Sequence, residues 1–217
     1  MAVPEQAKRL ALLYFKLKRE VISKGYATEI AWQEDIVLKD ITEIEFLKET
    51  AWVILSSGMR ESIIQRKFKD ISNVFYNWES ASLIISNREE CMANALNLFN
   101  NERKISAILK ICEQVYLQGF TEIKRYIFEQ GVPYLKQFPF MGPATSLHLA
   151  KNIGLSVAKP DRHMVRMVNA VGYNSAQAMC DDIALLTGED VAVIDLVFWR
   201  YATLNTNYLE LFKAIAN

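Results

Sequence analysis

Apolar residues recur at helical spacing from one end of this chain to the other, with little to interrupt them. Eight Gly and five Pro are spread over 217 residues. A many-stranded β architecture needs a turn every few residues, and the Gly, Pro and Asn clusters that make one. Residues 5–23 place Leu10, Leu13, Leu17 and Val21 at roughly helical intervals, with Phe15 beside them and basic residues between. A less regular stretch comes next, GYATEIAWQEDIVLKD, carrying Trp32. Thr42 is placed to cap a helix bearing Ile44, Phe46, Ala51, Trp52, Ile54 and Leu55, which stops at Ser56-Ser57-Gly58. Glu45, three residues after Thr42, would complete a capping box. Shorter patterns cover 60–76 and 89–99. Glu102–Leu117 is strongly amphipathic, with Ile105, Ile108, Leu109, Cys112, Val115 and Tyr116 on one face. Gly119 and Gly131 punctuate the next stretch, and helical spacing resumes at 143–153, 161–171, 175–187, 190–204 and 207–216. The expected fold class is all-α.

With 51% hydrophobic and 23% charged residues, the chain can bury a core and is not a disordered tail. No apolar run approaches the ~18 residues of a membrane-spanning helix. The first residues, MAVPEQAKRLALLYFKLKRE, carry charges through their apolar stretch, unlike a signal peptide. Cys91, Cys112 and Cys180 lie far apart and form no CxxC pair, which excludes a disulfide scaffold and an all-cysteine iron–sulfur cluster. With only two histidines, no metal site is expected. The expectation is an intracellular protein, cytoplasmic and nucleoid-associated or nuclear.

Charge sums to zero, 25 basic against 25 acidic residues, yet it is unevenly spread. From 130 to 175, Lys136, Lys151, Lys159, Arg162 and Arg166 face a single acid, Asp161. From 176 to 217 the balance reverses, six acids against two bases. A basic segment enclosing one carboxylate can bind phosphate locally, or be an ordinary uneven surface.

Residues 134–172 read YLKQFPFMGPATSLHLAKNIGLSVAKPDRHMVRMVNAVG. The pattern is a short helix ending near Gln137, a tight FPFMGP turn, and a second helix opened by Pro143, a favoured first helical residue. Met141, Gly142 and the first-turn amides would offer free N–H donors, the arrangement by which helix N-termini bind anions. Gly142 has no side chain to block close approach. Asp161 then stands at the start of the next helix.

This segment resembles the helix-hairpin-helix DNA glycosylase superfamily, which includes the endonuclease III, adenine-mismatch and alkylbase glycosylases. The family pattern is Leu-Pro-Gly-hydrophobic-Gly-x-x-Thr-Ala, followed after a helix and loop by Val/Pro-Asp-x-His/Phe-Val-x-Arg. Here the corresponding residues are Phe138-Pro139-Phe140-Met141-Gly142-Pro143-Ala144-Thr145-Ser146, then Pro160-Asp161-Arg162-His163-Met164-Val165-Arg166. Weaker similarity covers Trp52–Met59, Asn100–Tyr116 and Asp195–Ala202. Phe140 replaces the first hairpin glycine. Ala144 stands where family members that also cut the backbone carry a Schiff-base Lys.

The resemblance implies a two-lobed helical fold with the DNA cleft between lobes. Residues 44–159 would form a central lobe containing the hairpin at about 134–153. Residues 1–43 would pack with 160–217 as the second. It implies a monofunctional glycosylase of base excision repair, flipping a damaged or modified base and hydrolysing its N-glycosidic bond. Asp161 would be the catalytic carboxylate, stabilising an oxocarbenium-like sugar and orienting water. The residue alone also reads as a helix cap. Phe140, Met141, Gly142, Ala144, Thr145, Lys151, Arg162 and His163 would contact DNA. Met59 or Arg60 would fill the vacated stack, and Trp32 would stack on the flipped base. No cofactor is required, although relatives hold a monovalent cation among hairpin carbonyls. The expected partner is double-stranded DNA, bound by a monomer. The rivals are a non-catalytic hairpin protein recognising lesions or DNA structure, and a helical scaffold.

Overall fold

The computed structural model describes residues 5–216, and every regular element among them is helical. In chain order these are α1 (Glu5–Val21), α2 (Ala27–Asp35), α3 (Glu43–Ser56), α4 (Glu61–Val74), α5 (Ala81–Ser86), α6 (Arg88–Leu98), α7 (Glu102–Gln118), α8 (Phe120–Gln130), α9 (Val132–Leu135), α10 (Pro143–Asn152), α11 (Arg162–Val171), α12 (Ala176–Thr187), α13 (Val191–Leu204) and α14 (Leu209–Ala216). No helix among the described residues is long and apolar enough to cross a membrane.

Local chemistry starts many of these helices. Thr42, Ser80, Asn101, Asp161, Ser175 and Asp190 each accept a first-turn amide at an N-cap. At Thr42 the capping box is complete: Glu45 N–H donates to the hydroxyl and Thr42 N–H to the Glu45 carboxylate.

The chain divides into two compact units, one running from Val37 to Ile153, the other joining the chain up to Ile36 with the chain from Gly154 onward. In the first, α3 buries Phe46, Leu47, Ile54 and Leu55, and packs on α7 and α10. The buried face of α7 carries Ile105, Ile108, Leu109 and Cys112 and also meets α5 and α6. In the second, α1 lies against α12, α13 and α14, contributing Leu10, Tyr14, Leu17 and Val21 to a core with Met164, Met167, Ile183, Phe198 and Phe212.

Three elements depart from the sequence reading. The stretch expected to be irregular is helical: a wide turn at Ile22–Tyr26, with Gly25 at φ +93°, leads into α2. α2 is secured by its partner α13, since Arg200 donates twice to the Glu29 carboxylate at 2.8 and 2.6 Å and Ile30 is buried. α8 fills the space between Gly119 and Gly131, which terminate helices with φ of +80° and +60°. α5, of six residues, is too short to show a period.

Candidate functional site

The FPFMGP turn is built from the inside out. Phe138 is buried against Phe46 and Tyr134, with ring centres at 5.9 and 5.5 Å, and Met141 is buried beside it. These anchors force the chain to reverse at Phe140, which takes φ +68°. A left-handed conformation costs an L-residue roughly 1–2 kcal/mol. This is the position at which the resembled pattern has glycine, and the backbone explains why. Two contacts hold the strained residue. The Thr145 hydroxyl reaches the Phe140 carbonyl at 2.9 Å, and the Lys104 ammonium stands 5.9 Å from the Phe140 ring centre. Thr145 therefore braces the turn from within. Gly142 has an ordinary φ of −72° and would place a Cβ only against Thr145 Oγ1, at 3.9 Å. Neither backbone nor packing demands a glycine there. Gly142 and Ala144 are exposed at the start of α10.

Lys104 belongs to no sequence motif. It is 5% exposed and donates to the Leu55 and Ser57 carbonyls at 2.7 and 2.6 Å. These carbonyls end α3, where a cation satisfies acceptors the helix cannot and opposes the negative end of its dipole. Burial pushes the Lys104 pKa below its usual value. One ammonium thus fixes both the Ser57–Arg60 loop and the hairpin turn. The signal was present: Lys104 precedes Ile105 on the apolar face of α7, in register with Ile108 and Ile111, and a cation there must be satisfied internally. Beyond it the loop turns at Gly58, φ +69°, and exposes Met59, at 40%, and Arg60.

Asp161 sits in the other unit, on a loop fixed from two helices. Ala158 N–H donates to Gln177 Oε1 of α12 and Lys159 N–H to Asp195 Oδ1 of α13, each at 2.9 Å. Asp195 is 1% exposed and was not singled out from sequence, although a carboxylate inside the apolar run of α13 marks a buried acceptor. Asp161 does cap α11. One oxygen, Oδ1, takes both amides, His163 N–H at 2.8 Å and Met164 N–H at 2.9 Å. Oδ2 has no partner among the described residues, and the side chain is half-buried.

The remaining residues sort by environment. Arg162 and Trp32 are exposed, Trp32 at 41% on the outer face of α2. His163 is tied on both sides. Arg162 Nε–H donates to its Nε2 at 3.3 Å, so in the neutral ring Nδ1–H donates to the Tyr208 hydroxyl at 3.1 Å. Burial, aided by Arg162 and Arg166, outweighs the Asp161 charge and holds the His163 pKa below its usual value. Lys151 corrects the sequence reading: at 6% exposure it is no surface phosphate contact, because the last turn of α10 is buried all round, Leu149, Ala150 and Asn152 with it. The hairpin turn, Met59 and Arg60 belong to the unit Val37–Ile153, whereas Trp32, Asp161, Arg162 and His163 belong to the other. Compared with known proteins, the chain matches neither a family model nor a curated sequence.

Proposed function

We propose that this protein is a monofunctional DNA glycosylase, hydrolysing the N-glycosidic bond of a damaged base, alkylated or otherwise modified. The observation that carries the reading is the division of labour at Asp161. Its Oδ1 is occupied by the helix cap while Oδ2 remains available to a substrate. A carboxylate held this way can face a sugar that develops positive charge and orient the attacking water. The hairpin supports the same reading: Gly142 is a glycine that neither conformation nor packing requires, at a helix start where close approach of a phosphate would. Met59 and Arg60 would occupy the gap left by the flipped base, which costs a few kcal/mol to unstack. No cofactor is needed for this hydrolysis. With Ala144 in place of an amine, the product is an intact abasic site.

The test is a panel of duplexes, each with one lesion, scored for strand scission before and after hot alkali. Scission should appear only after alkali, and borohydride should trap no covalent complex. Asp161→Asn separates cap from chemistry, because Asn caps a helix about as well as Asp. Its melting temperature and DNA affinity should match the wild type, while excision falls on the order of 10²-fold or more. Excision at the wild-type rate would reduce Asp161 to a cap and end this reading. Lesion binding without any base release would favour the non-catalytic alternative.

A further inference from the structure

A cleft of about 270 Å³ opens beside the hairpin, between α7 and the turn, lined by Arg103, Ser106, Ala107, Lys110, Pro139 and Phe140. Its composition is ordered by helix geometry. Residues 103, 106, 107 and 110 share one face of α7, so the small Ser106 and Ala107 form the floor and a long cation stands at each end. Arg103 and Lys110 are exposed, and neither forms an ion pair among the described residues. The opposite wall is the strained turn itself, Pro139 and Phe140, held by Lys104 from beneath. Two unpaired cations about a concave strip with small residues between them make an anion site of defined length.

We infer that this cleft takes the phosphodiester backbone of a nucleic-acid strand, one phosphate at each cation. The span argues for a polymer. Seven residues at 1.5 Å place the two positions about 10 Å apart along the helix, so each cation can reach a different phosphate of one strand. Arg103 and Lys110 therefore suit an anion repeated along a chain, with one contact at each end of the cleft. The fork of Arg103 suits bidentate grip on one phosphate, and Lys110 a point contact on the next. The inference rests on the DNA reading above and extends it: the Met141 N–H, expected to be free, is spent on the Phe138 carbonyl at 3.1 Å, so backbone contact continues from the first-turn amides of α10 along α7.

The test measures affinity for an undamaged duplex by fluorescence anisotropy, between roughly 50 and 200 mM salt. Each phosphate neutralised adds about 0.9 to the log–log salt slope. Arg103→Ala/Lys110→Ala should shallow that slope by about 1.8, so the wild type should lose roughly tenfold more affinity than the variant across the window. Lys16→Ala/Arg19→Ala, removing equal charge from the exposed face of α1, should leave the slope unchanged. Both double variants should melt like the wild type, since all four side chains are exposed. An unchanged slope in the α7 variant, with binding still weakened by Gly142→Asp, would overturn the cleft and leave the DNA reading standing. Equal losses in the α7 and α1 variants would also overturn it, as would inorganic phosphate protecting Lys110 from amine labelling as fully as duplex does. A wild type that binds no duplex at low salt would end both.

Discussion

Glu49 and Phe140 each act against their own preferences, one by charge and one by backbone. Phe140 holds a positive φ because Phe138 and Met141 on either side are buried, and its strain is balanced by Thr145 and Lys104. Glu49 lies within α3, its carboxylate accepting Asn152 Nδ2–H at 2.8 Å. Burial is the largest influence on it and raises its pKa above the usual 4.5, despite that hydrogen bond and the nearby Lys48. The folded state therefore keeps this proton after the unfolded chain has released it. As pH climbs through 4.5 and on through the raised folded value, stability must fall. Glu49→Gln keeps an oxygen for Asn152 and removes the titration. Chemical denaturation should show the variant equal to or below the wild type under acid conditions and gaining on it steadily towards neutral pH. A stability difference independent of pH would refute the assignment.

At the scale of elements, two kinds of helix are present. α3 announces itself, because Thr42 and Glu45 form their capping box locally and need no tertiary partner. Thr42→Ala removes the hydroxyl that accepts Glu45 N–H and should destabilise by about 1 kcal/mol. Thr42→Ser, which keeps the hydroxyl that also donates to Glu45 Oε2 at 2.8 Å, should recover most of that loss, and a midpoint shift absent in Thr42→Ala would show that the box carries no weight. α2 is the other kind. Its termini carry no side-chain cap, and its helical state depends on the Arg200–Glu29 pair and on Ile30 meeting α13. α8 was legible in principle, since Ile123 and Ile127 are four apart and both buried.

For the molecule as a whole, chain connectivity makes the two units unequal. Val37–Ile153 is continuous, while the other is assembled from both ends of the chain. Removing residues 1–36 takes Leu10, Tyr14, Leu17 and Val21 from the core shared with α12 and α13. Each buried aliphatic or aromatic side chain is worth about 1.5–3 kcal/mol, and a domain's whole stability is only about 5–15. A protein truncated to 37–217 should therefore show by circular dichroism little more helix than one truncated to 37–153, which should melt cooperatively. Full native helicity in 37–217, or a disordered 37–153, would contradict this account.

The all-α class, most helix starts and the positions of Asp161 and the hairpin turn were determined by the sequence alone. They rest on interactions within a few residues: apolar spacing, side-chain caps and the proline at a first helical position. What tertiary structure decided is which of those residues face outward. Lys151 reads as a surface cation until the last turn of α10 is buried, and Lys104 as one more helix lysine until α3 ends above it. Asp195 and Gln177 reach the Asp161 loop across 36 and 19 residues of chain, and no local pattern encodes that. Burial is a property of the partner surface, and the partner is distant in sequence.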